Sequence, residues 1–248
     1  MPENNWFKDW FNSPYYHILY KHRDDEEAFT FIRALIKQLN PPAGSKVLDV
    51  ACGKGRHSKV LAEFGFEVTG IDLSVESIEE AKKSETENLH FYQHDMRLPF
   101  WINYFDYAFN FFTSFGYFRT LREHENAIRT IAQSMHAQGV VVMDYLNVHY
   151  AEDNLEKSHS KTVDGIKFNI SKWHNEEHFF KQIQVEENGV IKHLFTERVA
   201  KFSLGDFTDM FAYHGMQIQE VYGDYHFGHY DVRKSPRLIM VAKRVKAI

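Results

Sequence analysis

This 248-residue sequence predicts a doubly wound α/β fold with a mostly parallel sheet and a small antiparallel β appendage. Three observations lead there. Strand-like and helix-like segments alternate strictly across residues 46–146. A turn of small residues, 51–55, follows directly on the first strand and opens a helix. Between residues 160 and 202 the alternation stops, and Asn188-Gly189 sits between two strand-like runs as a hairpin signal.

The elements follow in order. Residues 1–40 read as helical. From Asp24 the first turn is acidic, and Phe29, Ile32, Leu35, Ile36 and Leu39 recur at helical spacing. Pro41-Pro42 stops that helix, because proline disfavours a helical residue before it. Upstream, Trp6, Phe7, Trp10, Phe11, Tyr15, Tyr16 and Tyr20 form a dense aromatic cluster. KVLDV is a short buried strand, followed by a helix over 56–64. FEVTGIDL is the second strand, and Ser74 is the expected N-cap of the helix after it. LHFYQHD and FDYAFNFF are the third and fourth strands. A helix over 121–137 leads to the fifth strand, GVVVMDYL. After the appendage, a helix around LGDFTDMFAYHG is closed by Gly215, and MQIQEVY and RLIMVAKR are the last two strands.

Composition narrows the function. Hydrophobic residues make up 44%, charged residues 25%, and the net charge is −5, as in ordinary globular proteins. The acidic balance argues against a long nucleic acid as partner. The lone Cys52 excludes a disulfide framework and a Cys-rich zinc site, and fits a cytoplasmic, reducing setting. MPENNWFKDWF has no basic start followed by an apolar run, so no signal peptide is expected. No stretch of about 18 apolar residues suggests a membrane span.

VLDVACGKGRHSKVLA is the most informative stretch. Ala51, Gly53 and Gly55 let a ligand approach the backbone, and the following helix aims free N–H groups at the loop. Asp49 adds a carboxylate, and a site with both donors and a carboxylate suits a zwitterion better than a bare phosphate. A dinucleotide fingerprint is the rival, but Ser58 occupies its third glycine position. Asp72 ends the second strand and is open to two readings: an acceptor for ribose hydroxyls, or a cap for the next helix. Asp95 follows the third strand on the same rim, as an acceptor for an adenine amine or as a solvated loop residue. Met96 beside it offers an adaptable apolar wall.

VLDVACGKG, GIDLS, HDM and FDYAFNFFTSFGYF, in this order and spacing, resemble class I S-adenosylmethionine-dependent methyltransferases. The resemblance covers residues 45–147 well, and the tail is similar to members carrying a small β insertion. It implies a Rossmann-like seven-stranded sheet with an antiparallel last strand and S-adenosyl-L-methionine as cofactor. Asp49, Ala51 and Gly53 would hold its methionine part, with Gly55 allowing the turn. Asp72 would bind the ribose, Leu73, Asp95 and Met96 the adenine, and Asn110 and Phe111 would lie near the sulfur. The commonest family turn has Gly where Ala51 stands, which implies a slight shift of the loop. The division expected is an N-terminal helical lid (1–44), a cofactor domain (45–150 and 203–248) and an inserted β subdomain (151–202).

The acceptor is expected to be a small molecule. The chain lacks the Asn-Pro-Pro-aromatic turn of nucleobase and glutamine amino-methylating enzymes, and Cys52 lies in the cofactor turn, away from any nucleophile's place. Substrate candidates are Tyr16, Tyr20, Tyr225, His226, Tyr230 and Arg237. His149 and Tyr145 are candidates for a catalytic role. His226 and His229 have no third ligand at a known spacing, so no metal is expected. Two other functions are weighed: an NAD-dependent oxidoreductase, and a non-catalytic cofactor-binding module. The appendage is a candidate face for a homodimer.

Overall fold

Two separate β-sheets organise the computed structural model, which describes residues 6–21 and 25–245. The residues read for a signal peptide (1–5), the acid Asp24, and the side chains of Trp6, Phe7 and Asp25 lie outside the described part. Helices α1 (Trp6–Phe11), α2 (Pro14–Leu19) and α3 (Asp25–Leu39) lead to β1 (Lys46–Val50) and α4 (Arg56–Glu63). Next come β2 (Glu67–Asp72), α5 (Val75–Lys82), β3 (Leu89–Gln93) and β4 (Phe105–Asn110). Helix α6 (Leu121–Ser134), β5 (Met135–Leu146) and α7 (Val148–Asp153) follow. The appendage is β6 (Ser158–Val163), β7 (Ile166–His174), β8 (His178–Glu187) and β9 (Val190–Ala200). Helix α8 (Leu204–Tyr213), β10 (Met216–Tyr222) and β11 (Arg237–Arg244) complete the described chain.

The main sheet has seven strands in the order β10-β11-β5-β4-β1-β2-β3. Strands β1 to β5 pair in parallel, and β11 runs antiparallel to both β5 and β10. This matches the expected sheet, including its antiparallel last strand. The continuous apolar run of β1 follows from its central place, since four of its five residues are buried. One core layer gathers Phe105, Ile128, Ile131, Met143 and Phe207 under α6 and α8; the other gathers Ile32, Leu35, Leu61, Ile78 and Phe91 under α3, α4 and α5. Phe29, placed on the core face by its spacing, is 42% exposed and stacks on Phe64 instead. Ser74 caps α5 as expected, accepting from Ser77 N at 3.1 Å. Capping boxes start α6 (Thr120 with Glu123) and α8 (Ser203 with Asp206).

The helix expected over 121–137 stops earlier, at Ser134. Its apolar spacing runs on into Met135, but Met135 pairs with Phe105 at the start of β4, and Gln138 turns the chain at φ 71° before Gly139. Helix α7 is a second departure, since its six residues are too few to show a period. In the appendage, Asn188 and Gly189 both take positive φ, 51° and 76°, as a type I′ hairpin turn requires. A third core joins this sheet to the N-terminus: Phe168, Ile170, Ile183 and Val185 pack with Trp10 and Leu19. The N-terminal aromatic segment is thereby docked on the appendage.

Candidate active site

The carboxyl ends of β1, β2, β4 and β5 open into a cavity of about 1160 Å³, where ligands bind in open α/β sheets. Its other walls are α1 and α2, α7, and the inner face of β7 to β9. Pockets for one small molecule usually hold roughly 300–1,000 Å³, so this one lies just above that range.

The floor is the turn after β1. Ala51, Gly53 and Gly55 all have left-handed backbone, at φ 62°, 56° and 79°. Alanine at such a φ is strained, at a cost of about 1–2 kcal/mol. A side chain at Gly55 would run into the Phe91 ring, whereas the space beside Gly53 is open. The turn is thus closed on the core side and clear on the ligand side.

Two carboxylates meet there. Asp72 accepts the backbone N–H of Gly53 and of Ser74, each at 2.8 Å, so it both ties the turn and begins α5. Burial raises its pKa against those donors. Asp49, 2% exposed, accepts Ser58 Oγ at 2.6 Å. Burial pushes its pKa up to about 6, opposed by the Ser58 hydrogen bond and reinforced by the charge of Asp72. The same surroundings hold the Cys52 thiol well above its usual range, so it is no nucleophile. The floor therefore favours a cation. A sulfonium with an ammonium group fits it, and a pyrophosphate does not.

Leu73, Asp95 and Met96 continue the wall. Asp95 is more committed than its place in the sequence suggests. Arg97 Nε donates to its Oδ1 at 3.0 Å and Nη2 to its Oδ2 at 2.7 Å, while Arg97 Nη1 reaches Glu123 at 2.6 Å. Burial opposes the charge on Asp95, but these bonds outweigh it and hold the carboxyl below its usual range.

At the far end of the floor, Phe112 and Thr113 follow β4 with consecutive left-handed φ values of 55° and 56°. Asp144, fully buried, holds this strain. Its carboxylate accepts Phe112 N at 2.7 Å, Tyr225 OH at 3.2 Å and Arg237 Nε at 2.8 Å, and Arg237 Nη2 donates to Thr113 Oγ1 at 2.8 Å. Burial works against the charge of Arg237, and Asp144 overcomes it. Sequence reasoning found Arg237 and Tyr225 but missed that Asp144 organises them. It also missed the appendage's contribution, including Lys172, Lys181 and Glu197.

Of the expected residues, Asp49, Ala51, Gly53, Asp72, Leu73, Asp95, Met96, Phe111, Tyr16, Tyr20, Tyr225 and Arg237 line this one cavity. Others do not. Tyr145 is fully buried in the core, and its hydroxyl donates to Ala200 O at 2.6 Å; burial drives its pKa far up, so it cannot act as a base. His149 lies on α7 outside the lining, whereas Tyr150 and Ala151 of the same helix are in it. His226 is exposed beside a separate shallow pocket with Phe31 and Tyr225. Tyr230 packs against the core layer under α6 and α8. Asn110 is 1% exposed and donates to Val50 O at 3.0 Å, so it locks β4 to β1 beneath the cavity. Among the described residues, no group of three or more His, Cys, Asp or Glu has a metal-holding arrangement, and no helix is long and apolar enough to cross a membrane.

A family model described as a methyltransferase domain matches residues 42–201. The chain belongs to that family. It is of the class I S-adenosylmethionine-dependent kind, and this match sets aside the dinucleotide reading. The methyltransferase is 35% identical over 106 residues to YqeM of Bacillus subtilis (strain 168), a protein with a provisional methyltransferase name, across 42% of this chain and 43% of that one. It is 35% identical over 115 residues to the dTDP-3-amino-3,4,6-trideoxy-alpha-D-glucopyranose N,N-dimethyltransferase of Streptomyces venezuelae, across 46% and 47% of the two chains. The chain thus spans less than half the length of these two relatives. The fold is shared more widely. An S-adenosylmethionine-dependent methyltransferase from Clostridium acetobutylicum ATCC 824 superposes with TM-score 0.77 at 15% identity, over 94% of this chain and 97% of that chain. The SAM-bound amino pentose methyltransferase CalS10 from Micromonospora echinaspora does so with TM-score 0.69 at 20% identity, over 94% and 98%.

Proposed function

We propose that this methyltransferase moves the methyl group of S-adenosylmethionine to a nucleophilic atom of a small-molecule acceptor enclosed between the cofactor turn, the N-terminal helices and the appendage. The observation that carries this is the pair of buried carboxylates, Asp49 and Asp72, meeting at an open glycine turn. They would hold a cationic amino acid and a ribose. Ala51 and Gly53 would present backbone to the methionine part, and Leu73, Asp95 and Met96 would frame the adenine, with Arg97 fixing Asp95. Phe111 would stand near the sulfur, with Asn110 holding its strand in place.

When bound, S-adenosylmethionine supplies a methyl carbon already activated for displacement. The chain's own task is alignment of the acceptor, worth roughly 7–11 kcal/mol in favourable cases. Neither Tyr145 nor His149 faces the cavity, so no general base is assigned, and an acceptor whose nucleophile is neutral and unprotonated needs none.

Residues 1–44 serve as a lid through Tyr16 and Tyr20, on a cofactor domain of 45–150 and 203–248, with 151–202 as the acceptor subdomain. Val190, Ile191 and Leu194, each more than half exposed at the appendage tip, offer a homodimer face that sedimentation at rising concentration would test. The net charge of −5 disfavours nucleic acid, and a buried free thiol fits the cytoplasm.

Calorimetric titration with S-adenosylmethionine, S-adenosylhomocysteine and NAD tests the central claim. Binding of the first two and not the third is expected. Asp72→Ala should weaken it by about 10- to 100-fold, as removal of a charged hydrogen-bonding partner does. Silence from both adenosyl ligands would refute the reading.

A further inference from the structure

The inner face of the appendage carries a charge arrangement that the cofactor does not explain. Strand alternation sets Lys172, Lys181 and Glu197 in one row across β7, β8 and β9, since Lys172 pairs with Lys181 and Lys181 with Glu197 in register. All three line the cavity. Two lysines directly opposite one another on a sheet face repel, and such pairs are destabilising.

The neighbouring carboxylates relieve this only in part. Glu197 Oε1 is shared: it accepts Trp10 Nε1 at 2.6 Å and lies 3.4 Å from Lys181 Nζ. Lys181 also contacts the Tyr20 hydroxyl. Glu156, the next acid in the lining, lies 3.0 Å from His159 Nδ1. Among the described residues no acid lies within ion-pairing distance of Lys172. The row therefore keeps one net positive charge facing a chamber walled by Tyr16 and Phe179. Asn12 Oδ1 lines the same cavity, buried and without a hydrogen-bond partner, and as an acceptor it suits a hydroxyl or amine donor elsewhere on the same ligand.

We propose that the methyl acceptor carries an anionic group, a carboxylate or a phosphate, which docks between Lys172 and Lys181 while its apolar body lies against Phe179. The cavity is thus polarised, with a cation-seeking floor at Asp49 and Asp72 and an anion-seeking wall on the appendage. This keeps donor and acceptor from exchanging places. The proposal rests on the methyl-transfer reading above.

The test uses the full chain saturated with S-adenosylhomocysteine, titrated with phenyl phosphate, benzoate and neutral benzyl alcohol. At least one anion should bind, and the alcohol should not at the same concentration. Preference for phenyl phosphate assigns a phosphate, and preference for benzoate a carboxylate. Lys172→Gln should weaken the anion about tenfold, the scale of one charged hydrogen bond, and Lys172→Glu should abolish it. S-adenosylhomocysteine affinity in both variants reports that the cofactor half is intact. Equal binding of alcohol and anions, an unchanged anion affinity in Lys172→Gln, or no anion response at millimolar concentration overturns the proposal. Failure of the unaltered chain to bind S-adenosylhomocysteine overturns the methyl-transfer reading and, with it, this one.

Discussion

The backbone N–H of Phe112 donates to the buried carboxylate of Asp144 at 2.7 Å, across the gap between the ends of β4 and β5. That bond fixes a left-handed residue in the cavity floor, and Arg237 supplies the countercharge. Asp144→Ala would leave Arg237 buried without its partner. A loss of about 3–5 kcal/mol is expected, the range for breaking a buried ion pair from one side. Urea unfolding measures it, and a loss below about 1 kcal/mol would show that the loop holds without the pair.

Asp49 makes binding and stability respond to pH in opposite directions. Its folded pKa, about 6, lies above the ordinary carboxylate value, so the folded state binds the extra proton. Its contribution to stability therefore falls as pH rises from about 4 through 6. A cationic ligand reverses the preference, since it favours the ionised form. Affinity for S-adenosylmethionine should rise through pH 6 and level off above it, and Asp49→Asn should flatten that profile. A flat profile in the unaltered chain would remove the carboxylate from the ligand's surroundings.

Ala51→Gly should stabilise the ligand-free chain by about 0.5–1 kcal/mol. Relief of the left-handed alanine, about 1–2 kcal/mol, is partly offset by the greater freedom of glycine in the unfolded chain. Thermal unfolding at neutral pH checks the sign.

The N-terminal helices should respond to ligand. Tyr16 and Tyr20 border the cavity, and Trp10 fastens their segment to Glu197. Hydrogen exchange across residues 6–21 should slow when S-adenosylhomocysteine binds. Unchanged exchange would leave these helices as packing for the appendage alone.

The main sheet was legible because its signals are local. KVLDV is apolar throughout since both faces are covered, and Ser74 caps its helix through its own side chain. Asn188-Gly189 selects its turn by tolerating positive φ. The floor was legible for the same reason, because Asp49, Gly53 and Asp72 sit at strand ends fixed by their own segments. The appendage side of the cavity was not. Tyr145 and Asp144 are adjacent in sequence, yet strand alternation sends the first into the core layer under α6 and α8 and the second to the opposite face, beneath the Phe112-Thr113 turn. Lys172, Lys181 and Glu197 become neighbours only through the pairing of three strands, and no short window of sequence contains that register.

Trp10, with its ring in the core shared by α1, α2 and the four-stranded sheet, makes two segments some 150 residues apart in sequence into one piece. Under the proposed function, the half that receives the acceptor is therefore a single exchangeable cassette. A chimera that transplants the appendage without the first helices would strand Phe168 and Ile170 in water, whereas moving both together would bring a new acceptor preference onto an untouched donor half.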